Sequence, residues 1–398
     1  MKLYHKFLLL ICLIIVACSA PNELAYIKVE NLNESKTNIN NHLIYALPQT
    51  ILKLDFEIQK LTKIKGPYSK FAEKYLSITE VISENSEKWT ITNVKISSNA
   101  EPDTNHFYTI ETNGNYINSI NLSDCGLILS VNKDEYNDNI FNYQKENYIN
   151  NPEKDFFYKD LSVKKNVYEK ITTTYKNVVT DTSFVKIPVT QKSIVNKSLE
   201  KKAEEAVNFI IKLRKRKFKL MAGMNDNYPD GNNIGTMIKE LKDLEDEYIL
   251  LFTGKTLKEN IKYSAECIPD KYNETNNYTL FYFSPKKGIL TIQELSRKTK
   301  FEKGMNIRPV NINIAANIDY LNKFDTIASD TNIMNTGICY RIPVVSNIEV
   351  YYGNNLLVSD KKLIAQFGKI VRLPDYIDNK YSIEFYEKYG SLKSIQKK

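Results

Sequence analysis

Two long stretches of helical periodicity stand side by side in the middle of the chain, with β-type patterning before and after them. In "SLEKKAEEAVNFIIKLRKRKFKLMAG" (198–223), Ala203, Ala206, Val207, Ile210, Arg214 and Met221 fall near one face, with Leu213 and Phe218 beside it. Ser198 suits the N-cap and Gly223 the position just past the end. In "IGTMIKELKDLEDEYILLF" (234–252), Ile234, Met237, Ile238, Leu241, Leu244, Tyr248 and Phe252 form a second stripe. The link "MNDNYPDGNN" holds Pro229, Asp230 and Gly231, which is turn chemistry. The expectation is an antiparallel helical hairpin set between two β regions.

On the N-terminal side, "LKLDFEI" (52–58) alternates: Leu52, Leu54, Phe56 and Ile58 face one way, Lys53, Asp55 and Glu57 the other. That is a half-buried strand, with Pro48 ahead of it as a tolerated start. "GPYSKFAEKYL" (66–76) predicts a short helix opened by Pro67. Further strands are expected at 89–96, 106–111, 125–132 and 182–189, with a long loop over 134–160. On the C-terminal side, 277–292 reads as a hairpin around Pro285 and Gly288, 337–374 as several strands, and 383–395 as a final hairpin. The spacing Phe283, Gly288, Leu290 recurs as Phe385, Gly390, Leu392, a shared turn solution. The fold class is therefore α+β: two β-rich domains with antiparallel sheets, joined by a long helical hairpin. The boundaries fall at 43–195, 196–254 and 255–398. A single ordinary core would not serve a chain of this length.

The first residues set the compartment. Lys2 and Lys6 precede an apolar run from Phe7 to Ala17. The run is shorter than the roughly 20 residues a spanning helix needs, so it reads as a secretory signal over residues 1–17. It ends Ile15-Val16-Ala17-Cys18, which resembles a bacterial lipoprotein signal and implies cleavage before Cys18 and lipidation there. Several acyl chains on one residue make a stable anchor. Residues 18–42 are polar and Asn-rich and are expected to be a tether. The first acid after Cys18 is Glu23, so the acidic run that marks surface export is missing and a periplasm-facing position is expected.

Composition excludes some classes. Without the leader, 53 basic residues face 47 acids, and only six are Arg, the usual phosphate-reading residue. No nucleic-acid partner is expected. "LFTGKT" (251–256) resembles the tail of a phosphate loop, but Ile249 stands where the first Gly belongs and an acidic helix precedes it. Gly254 reads instead as a helix stop, and no nucleotide is expected. The Asp226–Gly231 segment lacks calcium ligands at Tyr228 and Met237. No cofactor and no metal site is expected. Cys125, Cys267 and Cys339 read as small buried hydrophobes. One constellation remains: "AEPDTNHFY" places Glu101, Asp103 and His106 within six residues, a set able to do acid–base work or to form a polar turn. The basic run "KLRKRKFK" (212–219) complements the helix dipole and forms a solvated face or meets anionic lipid or a partner.

Several stretches together resemble a Bacteroidota family of exported proteins known only as a domain of unknown function, DUF4831. They are "IYALPQTILKLDFEI" (44–58), "GPYSKFAEKYL", "WTITNVKI" (89–96), "GLILSVN" (126–132) and "AEEAVNFIIKLRKRKFKLMAG" (203–223). "LEDEYILLFTG" (244–254), "FYFSPKKG" (281–288), "YRIPV" (340–344) and "QFGKIVRLP" (366–374) continue the order. The resemblance implies an exported compartment and one unbroken architecture, and brings no activity. The expectation is an envelope lipoprotein that binds or assembles, with an envelope protein or glycan as partner. The alternative is a hydrolase of envelope polymers using Glu101, Asp103 or His106. Replacing Cys18 with Ala is expected to move the protein from the membrane to the soluble fraction and to abolish palmitate incorporation, as read by fractionation and metabolic labelling.

Overall fold

A computed structural model describes residues 26–33, 43–113, 117–133, 156–163, 166–180, 183–224, 231–271, 276–290, 295, 305–317, 337–374 and 379–398. The leader, Cys18, most of the expected 134–160 loop and the link residues 225–230, with the rejected calcium-loop positions there, lie outside them. The described strands are β1 (Tyr26–Asn31), β2 (Leu43–Ile64), β3 (Ser86–Asn113), β4 (Ile120–Leu122), β5 (Ile128–Val131), β6 (Val167–Thr180), β7 (Ser183–Asn196) and β8 (Lys255–Cys267). They continue with β9 (Asn277–Ser284), β10 (Gly288–Leu290), β11 (Arg308–Ala316), β12 (Cys339–Tyr352), β13 (Asn355–Arg372), β14 (Tyr381–Tyr386) and β15 (Ser391–Lys397). The helices are a short α1 (Ala72–Leu76), α2 (Leu199–Met221) and α3 (Gly231–Thr253). The molecule is β-rich, and its strand pairs are antiparallel apart from an isolated parallel bridge between Ala46 and Leu127.

The spine is the β2–β3 hairpin. Its strands run 22 and 28 residues, against an ordinary 3–10. A strand that long passes through more than one core. With β1 and β8 it forms the sheet β1-β3-β2-β8. In one half, Leu52, Leu54, Phe56 and Ile58 pack with Val94 and Ile96 against Phe281, Val310, Ile312, Ile348 and Phe367 of the sheet β10-β9-β11-β12-β13. Phe56 meets Phe281 edge-on at 4.9 Å, and Tyr263 of β8 meets the same ring at 4.9 Å. In the other half, Tyr45, Leu47, Tyr108 and Ile110 pack with Ile27 and Val29 against Ile128, Val131, Ile383 and Phe385 of the sheet β15-β14-β5-β4. The β12–β13 hairpin does the same: its middle lies in the first core, and Cys339 and Leu373 at its ends lie in the second.

A third cluster holds the helices. Ala203, Ala206, Val207 and Ile210 of α2 pack on Tyr248, Leu251 and Phe252 of α3, with Tyr68 and Ala72 closing over them. Ser198 caps α2, its hydroxyl accepting from the Lys201 N–H at 3.3 Å. Gly223 ends it with φ +70°, and the Met224 N–H donates to the Lys219 carbonyl at 3.0 Å. Gly254 ends α3 with φ +87°, as "LFTGKT" implies, and the Lys255 ammonium sits over the Phe156 ring. The buried stripe of α2 continues through Leu213 and Leu220, and Phe218 and Met221 are exposed, contrary to the expected stripe. The steps 203, 206, 210, 213 and 220 average less than 3.6, so the buried line drifts around the helix and leaves Met221, in phase with Ala203, outside it.

Three expectations need correction. The break at the helices does not separate two β bodies: β2 pairs with β8 over Leu52–Ile64, and β5 pairs with β14, so residues on both sides of the helices share sheets and cores. The apolar face of β2 is covered by the sheet β10-β9-β11-β12-β13 from beyond the helices, and β8 pairs with its edge. Residues 26–31 of the expected tether are a strand, because Ile27 and Val29 alternate with Tyr26, Lys28 and Glu30 and bury one face. Pro48 is not a strand start but an interior residue, and the strands expected at 89–96 and 106–111 are one strand.

Both long hairpins break at the level between the two cores. In β2–β3 the register jumps from Ala46–Phe107 to Pro48–Pro102, so Leu47 faces the four residues 103–106. Pro48 and Pro102 sit opposite each other, and neither has an N–H for the ladder. In β12–β13 it jumps from Ile342–Lys369 to Val344–Ile364, so Pro343 faces the four residues 365–368. Gly368 lies so close to the partner strand that a Cβ there would sit 1.7 Å from the Ile342 carbonyl oxygen. Gly368→Ala is expected to destabilise the protein by about 3 kcal/mol, the upper end for overpacking, measured as a lowered urea midpoint with an unchanged m-value.

Candidate functional site

The candidate cluster sits in the β3 bulge. Looping out 103–106 frees those side chains from strict alternation. Asp103 turns inward, with its side chain 6% exposed, and His106 follows at 31%. The Asn105 N–H donates to Asp103 Oδ1 at 3.0 Å, an Asx turn that shapes the bulge. His106 Nδ1 lies 2.8 Å from Asp103 Oδ2. Glu101, paired with Gln49 before the bulge, is exposed and stands outside the cluster.

The residue that completes the site comes from 238 positions away. Arg341, at the start of β12, is buried with its side chain 3% exposed. Its Nη2 donates to Asp103 Oδ2 and lies 2.9 Å from His106 Nδ1, and its Nη1 donates to the Pro48 carbonyl at 2.8 Å. That carbonyl lies at the β2 break, so Arg341 satisfies a group the ladder leaves open. The Arg341 N–H in turn donates to the Gly390 carbonyl at 2.8 Å, which ties in the β14–β15 turn. Gly390 has φ +65°, and a Cβ there would stand 2.6 Å from Pro48 Cδ. Around the same level Tyr45 is fully enclosed. Its hydroxyl accepts from the Cys339 N–H at 2.9 Å and donates to the Cys339 carbonyl at 3.3 Å. Thr50 and Gln366 exchange a pair of bonds, the Thr50 N–H to Oε1 at 2.8 Å and Nε2 to the Thr50 carbonyl at 3.0 Å.

The electrostatics follow from this wiring. Burial alone raises the Asp103 carboxyl, but bonds from His106, the Asn105 N–H and Arg341 outweigh it and hold the group below the usual carboxylate range. Lys271 is pushed down by burial and by the nearby Arg341 and Lys369 charges. Burial pushes the Cys267 thiol up to about 11 and raises Cys339 as well, the behaviour of packed rather than nucleophilic thiols. Cys125 departs from the expectation of burial: it is exposed at the turn before Gly126.

A family model described as a domain of unknown function, DUF4831, matches residues 41–393. The chain belongs to this family. Comparison with curated proteins and with solved structures returned no match. The matched range covers the spine hairpin, both breaks, the helices and β14, so the DUF4831 unit includes Asp103, His106 and Arg341 together.

An Asp–His contact through Nδ1 is the geometry that orients a general base. Here, though, Arg341 takes the same carboxylate oxygen, so the charge of Asp103 is already compensated. What the arrangement does within the fold is join three strands at a gap in their ladders. Among the described residues no group of three metal-ligating side chains converges. Sequence reasoning missed Arg341. The available signal was its setting: one of six Arg, inside the apolar run "CYRIPVV".

Arg341→Met is expected to destabilise the protein by about 3–5 kcal/mol, because it leaves the Asp103 charge buried and unpaired. Adding Asp103→Leu to it is expected to recover much of that loss. The depressed Asp103 carboxyl contributes stability at pH above its unfolded value of about 4, and that contribution is lost as pH falls below it. Asp103→Asn is therefore expected to flatten the acid limb of a stability-versus-pH profile below about pH 4.

Proposed function

We propose that the chain is a lipid-anchored cell-envelope protein, held by Cys18 on the periplasmic face of the outer membrane, whose β body binds or assembles with an envelope protein and performs no catalysis. The observation that carries the binding role is the β6–β7 ribbon. Its strands pair only with each other among the described residues, over 14 residues each. Two-stranded ribbons are marginal in water on their own. This one leaves Ile171 at 59%, Tyr175 at 68% and Ile194 at 74% exposed on one face.

The two edges of the ribbon differ. β7 carries Pro188, a residue that blocks strand addition. β6 has neither Pro nor Gly and is rich in Thr, Val, Ile and Tyr. Pro188 has no N–H, so its pair with Tyr175 is a non-hydrogen-bonded one. By alternation, the N–H groups of Ile171, Thr173 and Tyr175 point away from β7, toward an incoming strand. An extended segment of a partner protein fits this edge by β-augmentation.

Two finer points belong to the same reading. The helices form one antiparallel hairpin, supported by contacts that run in opposite senses: Phe209 meets Tyr248, while Arg214 and Lys217 reach back to Glu245. The hydrolase alternative rests on Asp103 and His106, and it is weakened by the structural work Arg341 gives that pair.

Affinity capture from solubilised outer membranes tests the reading. The intact chain is expected to retain a specific envelope protein. Thr173→Pro, which removes an outward N–H, is expected to lose that partner while the fold stays intact by circular dichroism. Thr172→Pro is expected to disturb the ribbon itself. No specific capture by the intact chain, or undiminished capture by Thr173→Pro, overturns the proposal.

A further inference from the structure

The C-terminal half of α2 presents a surface that neither the helix pair nor the sheets use. Phe218 is 60%, Met221 59%, Met224 65% and Ile211 40% exposed. Ile211 and Phe218 stand seven residues apart, and Phe218 and Met221 three apart, so they share one side of the helix. The stop at Gly223 turns Met224 back over the last turn. Four exposed large apolar side chains on one helix end are not scattered singles of the kind any surface shows.

Cations ring these side chains. From Lys212 to Met224 there are six basic residues and no acid. Two of them are spoken for: Arg214 and Lys217 bond to Glu245 of α3 at 2.7 and 2.6 Å. Lys212, Lys215, Arg216 and Lys219 are exposed and form no ion pair among the described residues. Of the α3 acids, Glu245 is taken by Arg214 and Lys217, and among the described residues no ion pair joins Glu240, Asp243, Asp246 or Glu247 to these four cations. The acids of α2 itself, Glu200, Glu204 and Glu205, lie in its other half. Helix-dipole compensation accounts for cations in the last turn only.

We propose that this end of α2 docks on an anionic phospholipid surface, with Ile211, Phe218, Met221 and Met224 entering the interface and Lys212, Lys215, Arg216 and Lys219 meeting headgroups. The charge set fits an anionic partner, and the apolar set selects lipid among anionic partners, because a polysaccharide offers nothing to bury it. No described helix is long and apolar enough to cross a membrane, so the contact lies along the surface. It orients a body that a lipid at Cys18 would only tether. The inference stands apart from the strand-edge reading and from lipidation, since its residues are shared with neither.

The full-length chain is mixed with phosphatidylcholine vesicles and with vesicles containing phosphatidylglycerol. A lipid on Cys18 contributes binding that is insensitive to headgroup and salt, and the leader's Lys2 and Lys6 contribute equally to every variant, so the readout is the part of the anionic-lipid increment that changes at the helix end remove. That increment is expected to fall in high salt, and by about fivefold for each of Lys212, Lys215, Arg216 and Lys219 changed to Gln. Phe218→Trp places a reporter at the interface beside the single native Trp89. Its emission is expected to shift to the blue with phosphatidylglycerol vesicles and not with phosphatidylcholine alone. An unshifted emission, or an anionic increment that survives the four changes to Gln, overturns the proposal, and the second result moves the anionic contact elsewhere on the chain. Neither readout depends on capture through β6 or on labelling of Cys18.

Discussion

Two continuous hairpins must cross from one hydrophobic core to another, and the backbone at the crossing has to find its hydrogen bonds. Regular pairing stops there, with Pro48 facing Pro102 in one hairpin and Pro343 facing residues 365–368 in the other. A buried carbonyl or N–H without a partner costs on the order of 1–3 kcal/mol. Side chains take up the load: Arg341 reaches the Pro48 carbonyl, Gln366 and Thr50 trade bonds, and the Tyr45 hydroxyl serves both groups of Cys339. Asp103 then neutralises the guanidinium that this solution buries. The ion pair is thus a consequence of the broken ladders, and the two cores hold their relation through it.

The same economy explains the bulge. Four residues opposite one give Asp103 the freedom to turn inward while Tyr108 and Ile110 return to the core face beyond it. His106 sits at the rim of this arrangement, half enclosed and touching both charges. An Asp and a His three residues apart look like catalytic chemistry in a linear reading. In three dimensions Arg341 bonds to the same carboxylate and to the Pro48 carbonyl, and so joins the motif on β3 to β12 and β2.

Outside the cores, two surfaces stand uncovered among the described residues. The β6–β7 ribbon offers one strand edge guarded by Pro188 and one without a guard. The end of α2 offers apolar side chains inside a ring of cations. Both are joined to the body at the helix cluster: Lys197 bonds to Glu205 at 2.6 Å, and Lys201 lies over the Tyr168 ring. That cluster is pinned to the spine through Gly66, where a Cβ would stand 2.4 Å from the Leu251 carbonyl oxygen.

Much of this is written in local pattern. The alternation of Leu52 to Ile58, the cap at Ser198, the stops at Gly223 and Gly254 and the left-handed turns at Gly288 and Gly390 all appear in the structure. They were legible because each depends on neighbours within a few residues: a period, a cap, a φ that only Gly adopts readily. Leu220 against Met221 shows the margin, since one residue decides which side of a helix is buried and the choice rests on what packs there. The partnership of β2 with β8, of β5 with β14 and of Asp103 with Arg341 left no such trace. Strand order and long-range ion pairs are set by which faces cover one another, and residues 238 apart carry no shared period to betray it. Local chemistry therefore specified the elements and their ends, while the sharing of two cores by two hairpins, and with it the meaning of the Asp103–His106 motif, arose only when the chain had to bury both faces and satisfy its backbone at the same place.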